Sequence, residues 1–374
     1  MNSPAPEKGK NFISEWFGHR LYPKVLSSAE SSRDQSAGRC PFLSEFTGRD
    51  HACTKAPASH GVCTISSASN GHRQDWLVCP NRALVPSIVN RGAHLLFAAR
   101  SPDWPKVVPA PNLQFAETRK DIEADLAGGR KVLVAFQEKL GGEISIPGTD
   151  RSPEISFDIT LVELQRDSGR WGIGRFGILE VQTMDFHGTY RNAVKNLKDA
   201  LRLHAHNFSR TIQENPHWLG EKIEGPNKAN VFKRTFYQLV FKFQLGLHKR
   251  CAGCILAIPT SVWDSWQPHL GKPDLRRLKD GNYLLAEPTG RRMRGAVPKA
   301  SALIHVFEPQ SESALSPNPL SVQRTIVTDA DSIAYYALKV APLAAVGKSG
   351  MIDLIPARIR ARLAQWWQEF AVTE

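Results

Sequence analysis

Nowhere in these 374 residues does an apolar run approach the length needed to cross a bilayer, so no membrane-spanning helix is expected. Met1 to Lys10 contains two prolines and lacks the apolar stretch of a signal peptide, which leads us to expect a cytoplasmic protein. No segment recurs at a period of 20 to 50 residues, which excludes a stacked-repeat array. Acidic residues are in deficit. The chain has 36 Asp and Glu against 48 Lys and Arg, a formal charge of +12, and this favours a polyanionic partner such as nucleic acid over a small acidic molecule. The excess is clustered, since residues 191 to 250 hold 12 Lys or Arg against 4 Asp or Glu. Cysteine is sparse as well. Six thiols in a reducing compartment read as free thiols or metal ligands before they read as disulfides. With 41% hydrophobic and 22% charged residues, the chain can build one large core or two domains.

What the sequence does contain is organised around two carboxylates. In Glu154-Ile-Ser-Phe-Asp-Ile-Thr-Leu161, strand alternation sets Asp158 on the face opposite Phe157 and Ile159. Arg175-Phe-Gly-Ile-Leu-Glu-Val-Gln182 repeats the pattern, with Glu180 and Gln182 on one face and Leu179 and Val181 on the other. An acid held between apolar strand neighbours costs free energy unless something pairs with it, and a divalent cation is a natural partner. On spacing alone, however, such acids read more readily as salt-bridged or solvated groups.

Cys40, Cys53, Cys63 and Cys79, separated by twelve, nine and fifteen residues, lie in a region from 11 to 85 with little sustained periodicity. Four thiolates around one metal would staple such a region, although paired knuckles of the zinc-ribbon kind are missing and the alternative is four small buried side chains. A helix is expected from about Glu117 to Ala127, and Lys131–Gln137 reads as a buried strand preceding the two acidic strands. A second helix, about Gly188 to Phe208, carries a stripe of Arg191, Lys195, Lys198 and Arg202. A third, about Lys228 to Leu247, has Phe232, Phe236, Leu239, Val240 and Phe243 at core spacing. Cys254–Ile258 and Ala302–Phe307 read as further strands. Arg291-Arg-Met-Arg294 reads as a basic loop, and Ile352–Phe370 as a C-terminal helix whose Trp366 and Trp367 cover the core in preference to a dimer partner. Three regions follow: 1–115 with the four cysteines, 116–310 with the acids, and 311–374 as an extension.

Several segments have uncommon wording: Phe136-Gln-Glu-Lys-Leu-Gly-Gly-Glu143, Ile178-Leu-Glu-Val-Gln-Thr-Met-Asp-Phe-His-Gly188, Glu224-Gly-Pro-Asn227, Val231-Phe-Lys-Arg-Thr-Phe-Tyr-Gln238 and Cys79-Pro-Asn-Arg-Ala-Leu84. From about Asn11 to about Leu270 the chain resembles the NotI-type restriction endonucleases of the PD-(D/E)-x-K nuclease superfamily. The order helix, three strands, helix, strand agrees with the α/β restriction-endonuclease-like core of that superfamily, a central mixed sheet flanked by helices. The resemblance implies Mg²⁺-dependent, sequence-specific cleavage of double-stranded DNA by a homodimer, at a GC-rich palindrome. It implies that Asp158 and Glu180 hold Mg²⁺ with Glu143 as a third acid, and that Gln182 stands where most of the superfamily has lysine. It also implies that Cys40, Cys53, Cys63 and Cys79 hold one structural iron ion, with zinc as the alternative. Cys251 and Cys254 receive no role. A non-cleaving DNA-binding protein and a structure-specific repair nuclease remain the competing expectations.

Overall fold

The structure is a computed structural model, and it describes residues 11–69, 72–98, 102–288, 302–310, 313–346 and 354–367. The chain opens with its own antiparallel sheet, ordered β2-β1-β3-β4 and built from β1 (Phe12–Trp16), β2 (His19–Arg20), β3 (Val62–Ser69) and β4 (His72–Leu77). Between β2 and β3 come α1 (Ala29–Ala37) and α2 (Pro41–Thr47). Ser28 and Ser31 cap α1 reciprocally, and Gly38 and Gly48 end the two helices in left-handed geometry at φ of 64° and 69°. The regular sheet in this region escapes a periodicity search because all five β1 residues are buried, including Ser14 and Glu15. Glu15 is neutralised inside by Arg82, whose Nε and Nη2 donate to its two oxygens at 2.9 and 3.1 Å.

The main sheet follows. In chain order the elements are α3 (Pro86–Phe97), β5 (Lys106–Pro109), α4 (Ala116–Ala127), β6 (Val132–Gln137), a small hairpin of β7 (Ile144–Ile146) and β8 (Ile155–Phe157), then β9 (Ile159–Asp167) and β10 (Arg170–Val181). Next come β11 (Phe186–Gly188), α5 (Arg191–Leu203), α6 (Phe208–Glu214), β12 (Ile223–Pro226), which pairs with β11, and α7 (Lys228–Leu245). β13 (Cys251–Pro259), α8 (Thr260–Leu270), β14 (Arg276–Arg277), β15 (Tyr283–Leu284), β16 (Ala302–Pro309) and β17 (Leu320–Thr328) complete the sheet, and α9 (Ala330–Tyr335), α10 (Ala341–Val346) and α11 (Leu354–Ala364) follow it. Nine strands lie in the order β14-β15-β17-β16-β13-β10-β9-β6-β5. The sheet is mixed, for β10, β13 and β16 run parallel while β9 pairs antiparallel with both β10 and β6.

Helices cover both faces, so the chain is an α/β protein. On one face α3 packs against Leu179 and Ile255. It comes so close that a Cβ at Gly177 would lie 2.8 Å from the Phe97 ring, which is why glycine stands there in β10. On the other face α7 and α8 bury Phe232, Leu239, Phe243, Trp263 and Trp266 against Ile178, Leu256 and Ile304. The sheet takes β5 from before residue 116 and β17 from beyond residue 310, so it crosses both boundaries expected from the sequence.

The C-terminal tryptophans do not cover the core. Trp366 is 89% and Trp367 58% exposed, and α11 buries none of its residues; three arginines, Arg358, Arg360 and Arg362, interleave with its apolar positions. Arg291–Arg294 lie outside the described residues.

Candidate active site

The two acids meet where β8 gives way to β9 and where β10 ends. The expected single strand Glu154–Leu161 breaks at Asp158, which occupies a bend between β8 and β9. The break frees the Asp158 carboxylate from strand alternation and lets Oδ2 accept the Val181 N–H at 2.8 Å, while Glu180 Oε1 accepts the Asp158 N–H at 3.3 Å. Each acid is therefore held by the backbone of the other's strand. Parallel pairing of Glu180 with Leu256 of β13, and the Gln182 N–H donated to Ala257 O at 2.9 Å, keep the end of β10 in register.

The roof of the site comes from α7. Thr235, Gln238 and Lys242, at spacings of three and four, share one flank of that helix and line a cavity of about 260 Å³ together with Asp158, Glu180, Gln182, Arg234 and Pro80. Lys242 is buried, with its side chain 4% exposed, and its Nζ donates to Glu180 Oε2 at 2.5 Å. Gln182 is held at both ends: its amide nitrogen donates to Thr183 O at 2.6 Å and its carbonyl oxygen accepts the Thr235 hydroxyl.

Charge in the cavity is unbalanced. Burial above all, with Asp158 adding, raises the Glu180 carboxyl to about 8 even though Lys242 pulls the other way. Burial likewise raises Asp158, against the lowering pull of the Val181 N–H and Lys242. Two acids against one ammonium leave an excess negative charge that the protein alone relieves by taking up a proton. Glu143 stands apart. It is exposed, ahead of β7, and does not line the cavity, although burial and then the Asp158 charge raise its carboxyl too.

The four N-terminal cysteines sit close enough to act on one another. Cys40 caps α2 and Cys79 precedes the short helical turn Pro80–Ala83. Burial pushes Cys40 up to about 12, with the charges of Cys79 and Cys53 adding to it. A hydrogen bond from the Cys63 thiol, with Lys55 and the N–H groups of Asn81 and Arg82, brings Cys79 down to about 6. The same bond raises Cys63. Among the described residues, no three His, Cys, Asp or Glu side chains are gathered as tightly as a metal ion would hold them. The cysteine element reaches the acidic site through Pro80, which lines the cavity, and is tied to β6 through Asn81, whose Oδ1 accepts from Gln137 Nε2 at 3.2 Å. Cys251 and Cys254 are buried in β13.

On α5, Lys195 and Arg202 both pair with Asp199, so one acid partly neutralises the expected basic stripe. No protein-family model matches the chain, and no curated protein matches it. Among the described residues no helix is long and apolar enough to cross a membrane.

Lys242 is the site residue that sequence reasoning missed. Its signal was present: Val231, Thr235, Gln238 and Lys242 fall at spacings of four, three and four, and so put a lysine on the flank of α7 beside its apolar face.

Proposed function

We propose that this chain is a Mg²⁺-dependent, site-specific endonuclease for double-stranded DNA, with a restriction-endonuclease-like core and a four-cysteine metal element, acting as a cytoplasmic homodimer in a restriction system. The observation that carries this reading is the small polar cavity in which Asp158 and Glu180 meet with more negative charge than Lys242 balances. The donor set fits magnesium, which is commonly held by one or two carboxylates, waters and substrate phosphates rather than by an all-protein cage. Asp158 and Glu180 would hold it, with Glu143 at most a supporting carboxylate. When bound, such an ion supplies charge stabilisation at the phosphate and acidifies a water molecule.

The rest is work for the chain's own groups. The bonds between Asp158, Val181 and Glu180 fix both carboxylates before any ligand arrives, so little ordering remains to be done on binding. Gln182, anchored by Thr235 and Thr183, presents an uncharged amide with one spare N–H and one spare lone pair to whatever enters the cavity. It carries no charge to the phosphate and can only orient. Arg234, which lines the mouth with its side chain 75% exposed, suits a backbone phosphate.

Cys40, Cys53, Cys63 and Cys79 would hold a structural iron or zinc ion. The backbone N–H groups at two helix starts, directed at Cys40 and Cys79, suit thiolate ligands, and sulfur serves either metal. A net charge of +12 supports a DNA partner, and a GC-rich palindrome read by a two-fold dimer follows from the resemblance.

Digestion of plasmid and phage DNA with Mg²⁺ tests the reading. Discrete fragments that vanish with Asp158→Ala support it. A smear without fixed ends would assign a structure-specific nuclease instead, and gel-shift binding without cutting a DNA-binding protein.

A further inference from the structure

We propose that Lys242 supplies the positive charge at the reacting phosphate that lysine at position 182 would otherwise supply, and that until a divalent ion arrives it occupies that ion's place on Glu180. This rests on the nuclease reading of the site.

An ammonium group buried in a helix-to-sheet interface is costly, and an apolar side chain of similar size would usually serve stability as well or better. Lys242 is 3% exposed and has buried Leu239 and Phe243 as neighbours on α7. Its Nζ lies on Glu180 Oε2 and 5.9 Å from the centroid of the Phe157 ring. Stability alone gives little reason for a lysine there. The cavity gives one, because Lys242 lines it along with both acids and Gln182. The other cation of the cavity wall, Arg234, has its side chain 75% exposed and is paired with Asp185 at 3.3 Å.

Position 182 cannot do this work. Gln182 is neutral, and its carbonyl oxygen is committed to Thr235, one turn and then another before Lys242 on the same helix flank. One helix thus both fastens the uncharged residue and delivers the charged one. In the reaction, water oxygen bonds to phosphorus, one ester P–O bond breaks, and the water proton ends on the released alkoxide. Lys242 takes no part in this proton transfer and neutralises charge on a non-bridging oxygen. Before that, its contact with Glu180 Oε2 makes it a competitor of any cation that binds the carboxylate.

Competition can be read without cleavage. In calorimetric titration of metal-free protein with Ca²⁺, Lys242→Met should bind the ion about tenfold more tightly than wild type, since a like charge has left the site. On pre-bound DNA with Mg²⁺, the same variant should cut roughly a hundredfold more slowly, and adding Gln182→Lys to it should recover about tenfold. A lysine that only fills space predicts neither the tighter Ca²⁺ binding nor the recovery. Unchanged or weaker Ca²⁺ binding by a folded Lys242→Met variant, or wild-type cutting by it, overturns the proposal. Should that variant not fold, Gln182→Lys in the otherwise wild-type chain decides: it should bind Ca²⁺ more weakly and cut no faster, whereas about a tenfold gain in rate would show that the site had lacked its cation. Wild type that binds no Ca²⁺ and cuts no DNA removes the nuclease reading itself. Wild type that does both, with variants that behave alike, removes only the role of Lys242.

Discussion

Replacing Glu180 by Gln should make the metal-free protein more stable at alkaline pH while abolishing cleavage. In the folded chain the carboxyl is raised from 4.5 to about 8, mainly by burial and next by Asp158. Between these values the folded state keeps a proton that the unfolded state has released, so stability falls as pH rises through the window and the loss is complete above about pH 8. A shift of about 3.5 units corresponds to an upper bound of about 5 kcal/mol. That value already includes the lowering pull of Lys242, but the Gln variant leaves the buried Lys242 without its carboxylate partner, and we expect a net gain of about 1–3 kcal/mol for Glu180→Gln at about pH 8.5, with near equality at about pH 5. The amide is the same size and its oxygen can still accept from Lys242, so packing is preserved.

Urea unfolding in the presence of a chelator, at both pH values, measures the difference directly. Repeating it with Ca²⁺ adds a second sign. The ion should stabilise wild type at alkaline pH, where it replaces the missing proton, and should stabilise the Gln variant much less. Equal pH slopes for the two proteins, or a Gln variant weaker than wild type at about pH 8.5, would refute the charge imbalance from which we argue.

Gln182→Leu should slow single-turnover cleavage of pre-bound DNA by roughly a hundredfold, and Thr235→Val, which frees the amide it holds, by a smaller factor; a Leu variant at wild-type rate would leave Gln182 a packing residue. Elemental analysis should find about one iron or zinc per chain, and Cys63→Ser should lower the melting temperature before it changes cleavage kinetics, an expectation that a well-folded, metal-free wild type would defeat. His305 in β16 is fully buried, with neither ring nitrogen hydrogen-bonded among the described residues, and burial lowers it from 6.5 to about 3. The unfolded chain takes up this proton first, so stability should drop by up to about 1.4 kcal/mol per unit as pH falls through that window, and His305→Leu should flatten the acid limb of the stability curve.

How much of this was legible follows from where each signal lies. Segments with a plain apolar pattern could be read: α7, β6 and β13 begin and end within a few residues of expectation, because one flank of the helix and nearly the whole of each strand are apolar, while α4, which buries only Ile122, is marked by its stop at Gly128-Gly129. The N-terminal sheet could not. β1 buries Ser14 and Glu15 along with its hydrophobes, and a residue 67 positions away, Arg82, makes that possible. Only tertiary structure shows such compensation. Asp158 and Glu180 were visible as acids among apolar neighbours, yet their mutual hold depends on a bend at Asp158 that local sequence, Phe157-Asp-Ile159, gives no reason to expect. Residues on α7 that look like part of a general basic surplus divide by flank. Lys233 and Arg234 are exposed, Arg234 at the edge of the cavity, whereas Lys242, eight residues on from Arg234, is buried against Glu180. A helix that brings one lysine into the core opposite two carboxylates has given up packing for charge, and a site built on that exchange is expected to bind a ligand whose own charge completes the balance.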